Sequence, residues 1–123
     1  MKFPEYRPQP KVRPIVGEKD EYELIEDFLF TFEGIDVKIP RGFTSDGASI
    51  PKPLWSIVGS PFSPKLLEAA FIHDYLYKEG YDRYLSDCKF KEILLINKVG
   101  EFRANSMFRG VRLFGGKHHK GVK

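Results

Sequence analysis

The hydrophobic pattern of the chain changes from alternating to helical about halfway along the sequence. Between Tyr22 and Ile39, apolar and polar residues alternate, with many aromatic and β-branched side chains on both sides of Glu33-Gly34. Such alternation is typical of half-buried strands, and a glycine-containing pair between two such runs indicates a tight turn. The pattern therefore predicts a β-hairpin that turns at this pair.

Three segments in the second half have apolar residues every three or four positions, as one face of an α-helix requires. The first follows Ser63-Pro64, a typical helix N-terminus, and ends at Gly80. The second begins near Asp82, and the third, more weakly amphipathic, ends at Gly115-Gly116. The inward face of the second helix is expected to carry Tyr84, Leu85, Cys88, Phe90 and either Ile93 or Leu94.

The remaining segments are rich in proline. Residues 40–62, which also contain several glycines, predict a long loop, and loops of this length in compact domains are often functional. Residues 1–19 predict an extended proline-rich arm that drapes over the domain or reaches a neighbour. The order of hairpin, long Pro/Gly loop and two to three packed helices predicts an α+β fold. We expect one globular domain over residues 20–116 and a basic flexible tail at residues 117–123.

Composition fits a domain of this size and excludes several classes of protein. With 123 residues and 41% hydrophobic content, the chain can bury one modest core. Its apolar runs are far shorter than the roughly 20 residues of a membrane-spanning helix, and no signal-peptide stretch is expected at the N-terminus. The net charge is only +3, so no specific nucleic-acid binding is expected. The single cysteine, Cys88, excludes an internal disulfide and favours a reducing compartment.

A histidine lies where folding alone gives little reason for one. His73 is on the apolar face of the first predicted helix, one turn after Ala69-Ala70. Asp87 lies on the next helix, and antiparallel packing of the two helices would bring it close to His73. A base that activates water works best when a carboxylate fixes its tautomer and stabilises the imidazolium. We therefore interpret His73 and Asp87 as a candidate catalytic pair.

The predicted loop adds a candidate metal site. Asp46-Gly47 can form a tight turn that offers a carboxylate, and Asp74 offers a second carboxylate, with a backbone carbonyl of Ser45 or Gly47 to complete the shell. Ca²⁺ prefers this mixture of oxygen ligands. Zinc fits less well, because the other two histidines, His118 and His119, fall in the predicted tail. Asp46, Gly47 and Asp74 are therefore the candidate calcium ligands.

A structural interpretation of the same residues stays open. His73 can be a core histidine bonded to a carbonyl, and Asp46-Gly47 can be an Asx-type turn without a ligand. The two helical aspartates can pair with Lys78 and Arg83. In that interpretation the cluster is a polar network that stabilises the fold.

Four motifs in a fixed order resemble a family common in tailed bacteriophages and prophages. They are GFTSDGASIP, AAFIHDYLY, DRYLSDCKF and VRLFGG, and the similarity extends roughly over residues 22–116. The family is the domain of unknown function number 1353. The resemblance implies a phage origin, with the protein in the host cytoplasm or the assembled virion, and names no activity. It also implies other phage structural proteins as partners, which the proline-rich arm can reach.

The motifs DGAS and HDYLY are similar, more distantly, to microbial phospholipase A2-like enzymes. Those enzymes carry a calcium loop, an HD-x-x-Y helix and a later aspartate. The resemblance implies that Asp46 and Asp74 ligate Ca²⁺, that His73 deprotonates the attacking water and that Asp87 orients His73. The sequence departs from those enzymes in lacking their cysteines, since Ala48 stands where the loop cysteine would be.

Two functions of different class follow from these resemblances. The first is a Ca²⁺-dependent ester hydrolase that acts on phospholipid at a membrane surface and helps to breach or remodel the host envelope. The second is a non-enzymatic structural phage protein, such as a tail or baseplate component, which keeps the Asp/His cluster as a structural network. The completeness of the Asp/His set favours the first, and the proline-rich arm and basic tail favour the second.

Overall fold

The structure is a computed structural model, which describes residues 8–18, 21–47, 50, 52–58 and 63–119. In chain order its elements are β1 (Val12–Ile15), β2 (Glu21–Leu24), β3 (Phe28–Phe32), β4 (Ile35–Ile39), β5 (Thr44–Ser45), α1 (Lys52–Val58), α2 (Leu67–Lys78), α3 (Arg83–Ile96), α4 (Glu101–Phe114) and the 3₁₀ helix η1 (Gly116–His118). The predicted α+β fold is confirmed, with strands first and packed helices after them. Among the described helices, none is both long enough and apolar enough to cross a lipid bilayer.

The predicted hairpin is formed by β3 and β4, which pair antiparallel with Phe32 opposite Ile35. Its loop residues, Glu33 and Gly34, have φ angles of 51° and 77°. Two positive φ angles define the type I′ turn, which matches the twist of the flanking strands. The hairpin prediction is therefore confirmed for β3 and β4, while β2 belongs to a second sheet.

The second sheet is antiparallel in the order β1-β2-β5. Its first strand, β1, lies within the predicted proline-rich arm, so this part of the arm pairs with the domain through β2. Residues 1–7 and 19 of the predicted arm and residues 120–123 of the predicted tail lie outside the described residues.

The predicted loop of residues 40–62 contains two short elements that its proline- and glycine-rich composition did not predict. β5 pairs with β2, placing Ser45 opposite Tyr22. Helix α1 carries Pro53 in its first turn, where proline is tolerated because the N–H groups there have no intrahelical acceptor.

The helix boundaries follow local signals with one exception. The chain after Ser63 first makes a turn, and α2 begins only at Leu67, later than predicted. The predicted stop at Gly80 is confirmed by its φ of 78°, which glycine adopts without strain. Helix α3 begins as predicted after Asp82, whose carboxylate accepts the Leu85 N–H at 2.9 Å, as an N-cap does.

Helix α2 is the central element of the core and packs against both α3 and β5, while α3 packs against α4. The predicted inward face of α3 is partly wrong. Tyr84 is 55% exposed, and Cys88 is only half-buried. The buried face instead comprises Ser86, Asp87, Phe90, Ile93 and Leu94. Two polar residues can occupy it because each finds hydrogen-bond partners there.

Candidate functional site

The centre of the candidate site is a bond between α2 and α3. His73 Nε2 lies 2.7 Å from Asp87 Oδ1, and both side chains are 0% exposed. The predicted contact between these two residues is confirmed. It forms because α2 and α3 are joined by a short turn after Gly80 and pack side by side.

Two further donors hold the Asp87 carboxylate. The Tyr77 hydroxyl donates to the same Oδ1 at 2.5 Å, and Arg112 Nη1 on α4 donates to Oδ2 at 2.8 Å. Tyr77 follows His73 by one helical turn, so both side chains face α3. A buried carboxylate with partners on both oxygens is well satisfied.

Arg83 extends this network to the end of α4. Its Nε donates to the Tyr77 hydroxyl at 3.2 Å, and its Nη2 donates to the carbonyls of Val111 and Arg112, both at 2.7 Å. Both carbonyls lie in the last turn of α4, where a cation is favoured by the helix dipole. Arg83 therefore fixes α4, and with it Arg112, relative to α2. It reaches Asp87 through Tyr77, whereas the structural interpretation paired the two directly.

The protonation states of these groups follow from their contacts. Burial alone would raise the pKa of Asp87, but the hydrogen bonds from His73, Tyr77 and Arg112 hold that pKa below its usual 3.8. Burial and the neighbouring carboxylate raise the pKa of Tyr77 far above its usual value, so its hydroxyl remains a donor. Because a carboxylate only accepts, Nε2 of His73 carries the proton of this hydrogen bond.

Asp74 belongs to a different region, although it adjoins His73 in the sequence. Its Oδ2 accepts a short hydrogen bond from Ser45 Oγ, and Ser45 Oγ in turn accepts the Gly47 N–H at 3.2 Å. Gly47 has a φ of 70°, which the predicted tight turn needs. Ser45 therefore links Asp74 to the Asp46-Gly47 turn.

The 3₁₀ helix η1 brings a histidine to this second region. Burial and Lys117 lower the pKa of His118, the carboxylates of Asp74 and Asp46 raise it, and the net pKa lies below 6.5. His118 therefore lies within electrostatic range of the two carboxylates of the candidate calcium site.

His119 lies against α2. Its ring centroid is 5.0 Å from that of Tyr77, and its Nε2 lies 2.5 Å from the Tyr81 carbonyl oxygen. The expectation that His118 and His119 lie away from the Asp/His residues is therefore wrong. The physical reason is the close packing at Gly115, where a Cβ would lie 3.3 Å from the Tyr77 hydroxyl, so the chain leaves α4 close to α2.

The donors at the predicted calcium site are of the right kind. Among the residues that the structure describes, no three His, Cys, Asp or Glu side chains converge as a metal-binding group. A calcium ion at Asp46, Gly47 and Asp74 would therefore take further carbonyl or water oxygens, which Ca²⁺ commonly accepts. Residues 48–49, which follow in the loop and include Ala48, lie outside the described residues. The ligand set stays a prediction.

An apolar cavity of about 500 Å³ opens beside His118. Its lining residues are Ile50, Lys52, Pro53, Leu54, Gly110, Phe114, Lys117 and His118. Helices α1 and α4 approach closely here, because a Cβ on Gly110 would lie only 2.2 Å from Leu54 Cδ1. His118 thus lines the cavity and feels the charge of the Asp46 and Asp74 carboxylates.

Sequence reasoning missed several residues of the site. Tyr77 had a signal, since it ends the HD-x-x-Y motif four positions after His73. Arg112 had only its place in the VRLFGG motif, which does not show its contact with Asp87, 25 residues earlier on another helix. Ser45 was considered only for its backbone carbonyl, and the contacts of its hydroxyl and the place of His118 both depend on long-range packing.

Comparison with known proteins identifies relatives without an assigned activity. Residues 22–111 match a family described as protein of unknown function (DUF1353). The uncharacterized protein y4jT of Sinorhizobium fredii (strain NBRC 101917 / NGR234) is 37% identical over 97 residues, which cover 76% of this chain and 29% of that protein. The chain thus spans less than a third of that relative's length. No solved structure matches the chain.

Proposed function

The chain belongs to the DUF1353 family, and we propose that it hydrolyses lipid esters with His73 as the general base. The observation that carries this proposal is the buried 2.7 Å hydrogen bond between His73 Nε2 and Asp87 Oδ1. This bond orients the ring through Nε2, and in the proposed reaction Nδ1 is the nitrogen that takes a proton. Tyr77 and Arg112 keep the Asp87 carboxylate in place from its two oxygens.

Each residue has a defined role in the proposed reaction. His73 takes a proton from water, the water oxygen attacks the ester carbonyl, and the proton returns to the departing alcohol, which leaves an acid and an alcohol. Asp87 favours the transient imidazolium, because an anion beside the ring stabilises its charged form. Calcium held by Asp46, Asp74 and the Gly47 carbonyl would polarise the ester carbonyl and stabilise the oxyanion.

The resemblance to phage proteins supports a biological setting for this activity. In that setting the protein acts from the host cytoplasm or the virion on phospholipid of the host envelope, and the membrane surface is its partner. The similarity of DGAS and HDYLY to phospholipase A2-like enzymes supports the same substrate class.

A second candidate is a non-enzymatic structural phage protein, such as a tail or baseplate component. The complete burial of His73, which is 0% exposed, favours it. In addition, each buried side-chain nitrogen and oxygen of the described residues has a hydrogen-bond partner. A fully satisfied network can stabilise and specify a fold without any chemistry. In this function the proline-rich arm contacts other phage proteins.

Substitution of His73 separates the two functions. His73→Gln keeps a hydrogen-bonding end and much of the volume, whereas His73→Ala removes both. If the site is catalytic, both variants should stay folded and lose hydrolysis by roughly a hundredfold or more. The measurements are hydrolysis of mixed phospholipid vesicles with Ca²⁺ and the melting temperature of the same proteins.

The matched control is His119→Gln, which alters another histidine beside Tyr77 and should keep most of the hydrolysis. The structural candidate predicts a different result. His73→Ala should then cost about 1 to 3 kcal/mol of stability, with His73→Gln milder, and the unmodified protein should hydrolyse no phospholipid. That combination would refute the hydrolase proposal.

Calcium binding is tested separately by thermal unfolding. If Asp46 and Asp74 share an ion with a Kd of about 1 mM, then about 10 mM Ca²⁺ should stabilise the protein by about 1.4 kcal/mol. Asp46→Asn and Asp74→Asn should each remove this gain, and Asp36→Asn, at an exposed position on β4, should keep it. If Ca²⁺ does not change the melting temperature of the unmodified protein, the calcium site is contradicted.

A further inference from the structure

We propose that the cavity between α1, α4 and η1 binds an acyl chain that carries an anionic head group. The cavity volume of about 500 Å³ lies within the range of about 300–1,000 Å³ that small-molecule sites occupy. The inference deepens the proposed function, on which it rests for its link to catalysis, because it names anionic acyl lipids as the substrate class.

The walls of the cavity are apolar and come from separate elements. Leu54 projects from α1, and Gly110 and Phe114 lie one turn apart on the same face of α4. Ile50 and Pro53 complete the apolar lining. Phe114 is 63% exposed, so an acyl chain along its ring would remove apolar surface from water, which is favourable.

The polar residues of the cavity are basic. Lys52 and Lys117 line it and are both exposed, and among the described residues no aspartate or glutamate lines it. The lysines therefore attract a negative head group and repel a positive one. The apolar wall can contact the apolar chain of an anionic amphiphile, and the two ammonium groups can bind its negative head group.

The cavity also adjoins the candidate catalytic region. Ile50 lines the cavity, and its N–H donates to the Gly47 carbonyl of the candidate calcium turn at 3.0 Å. An acyl chain in the cavity would therefore bring its ester toward the side of α2 that carries Asp74, the residue next to His73. This arrangement favours esters of anionic lipids over esters of short or cationic alcohols.

The chain contains a natural probe for this binding. Trp55 is the sole tryptophan. It follows Leu54 on α1, and its Nε1 donates to the Ile50 carbonyl at 3.1 Å. A ligand that enters beside Ile50 and Leu54 should change the fluorescence of Trp55 in a saturable way.

The experiment is a titration of the full chain with decanoate below its micelle concentration, followed by Trp55 fluorescence. Octanoate and dodecanoate report the apolar contribution, and each buried methylene should tighten binding about fourfold. Decyltrimethylammonium, with the same chain length and opposite charge, should bind at least tenfold more weakly than decanoate.

Two matched pairs of variants locate the site. Phe114→Glu should weaken decanoate binding by tenfold or more, whereas Leu113→Glu, at a 74% exposed position on the same helix, should change it less than twofold. The double variant Lys52→Glu/Lys117→Glu should remove the preference for decanoate over decyltrimethylammonium. Lys38→Glu, on β4, should keep that preference.

Several results would overturn the inference. The first is a change in Trp55 fluorescence that is absent or does not saturate. The second is an affinity that does not depend on chain length or head-group charge. The third is an equal loss of decanoate affinity in Phe114→Glu and Leu113→Glu. A Trp55 signal that changes with protein concentration alone would identify a second copy as the occupant and would overturn it too.

The proposed hydrolase function fails separately from this inference. Decanoate binding without any hydrolysis would keep the acyl site and reject the hydrolase. Hydrolysis of anionic vesicles that is unchanged by Phe114→Glu would keep the hydrolase and reject the acyl site.

Discussion

His73 and Asp74 are neighbours on α2, yet they belong to two regions of different construction. The helical cluster consists of His73, Tyr77, Arg83, Asp87 and Arg112, all on three packed helices. The loop cluster consists of Ser45, Asp46, Gly47, Asp74 and His118, of which only Asp74 is on an α-helix. The first is held by ionic hydrogen bonds between rigid elements, and the second by a serine hydroxyl and a turn.

This difference assigns different tasks to the two regions. A buried carboxylate with several charged partners fixes geometry, and its disruption affects the whole fold. A cluster built on a strand end, a turn and a 3₁₀ helix can adjust to a ligand at lower cost. We therefore expect the helical cluster to dominate stability and the loop cluster to dominate ligand response.

The largest expected effect is that of Asp87→Ala in the helical cluster. It removes the acceptor of three donors, and breaking such a buried ion pair costs about 3 to 5 kcal/mol. Urea unfolding measures the loss. The control is Asp36→Ala, at an exposed position on β4, which should cost less than about 0.5 kcal/mol. If Asp87→Ala loses no more stability than this control, the helical cluster does not dominate stability.

A smaller effect in the same cluster depends on acid. Because the folded pKa of Asp87 lies below its usual 3.8, the folded state binds fewer protons than the unfolded state in that range. The stabilisation is therefore complete above about pH 5 and is lost as the pH falls through the folded pKa. Between neutral pH and pH 3, the free energy of unfolding measured in urea should fall less for Asp87→Asn than for the unmodified protein. An equal fall in both proteins would count against an ionised Asp87 carboxylate.

The loop cluster should respond less to substitution. Ser45→Ala removes the hydroxyl that donates to Asp74 and accepts from Gly47, which should cost about 1 to 2 kcal/mol. Ser86→Ala is the matched control, since it removes a buried hydroxyl that bonds only one helical turn back, to the Asp82 carbonyl. If Ser45→Ala costs as much stability as Asp87→Ala, the two clusters contribute equally to stability and the proposed difference between them is wrong.

The smallest expected effect is a pH step that belongs to the loop cluster. The folded pKa of His118 lies below 6.5, chiefly through burial, so protonation favours the unfolded state. Its stabilisation is present above about pH 6.5 and is lost as the pH falls through the folded pKa. His118→Gln should flatten the stability profile just below pH 6.5 and leave the Asp87 step intact. A profile that His118→Gln leaves unchanged would exclude this histidine as the source.

The parts of the fold that were predictable depend on local signals. The turn at Glu33-Gly34, the stop at Gly80 and the cap at Asp82 each lie within a few residues of the element they end or begin. The contact between His73 and Asp87 was also predictable, because two helices joined by a short turn pack antiparallel and bring these residues together. The turn, the stop and the cap require no knowledge of packing, and this contact requires only the packing of two neighbouring helices.

The remaining parts depend on contacts between distant elements. Arg112 reaches Asp87 only because α4 packs against α3 at the observed position, and His118 reaches Asp74 only because the chain turns at Gly115. Tyr84 was misplaced for a related reason. The apolar pattern of α3 does not show that Ser86 and Asp87 find partners that satisfy them inside the protein.

The close approach of α1 and α4 links two positions of the sequence. A Cβ at Gly110 would lie 2.2 Å from Leu54 Cδ1, so the two helices share one small volume that either residue can fill. Substitutions at these positions should therefore be epistatic: a larger residue at 110 is tolerated when position 54 carries a smaller one. Among related sequences, a large residue at one of these two positions should therefore accompany a small residue at the other. A large residue at position 54 would narrow the cavity from α1, and a large residue at position 110 would narrow it from α4.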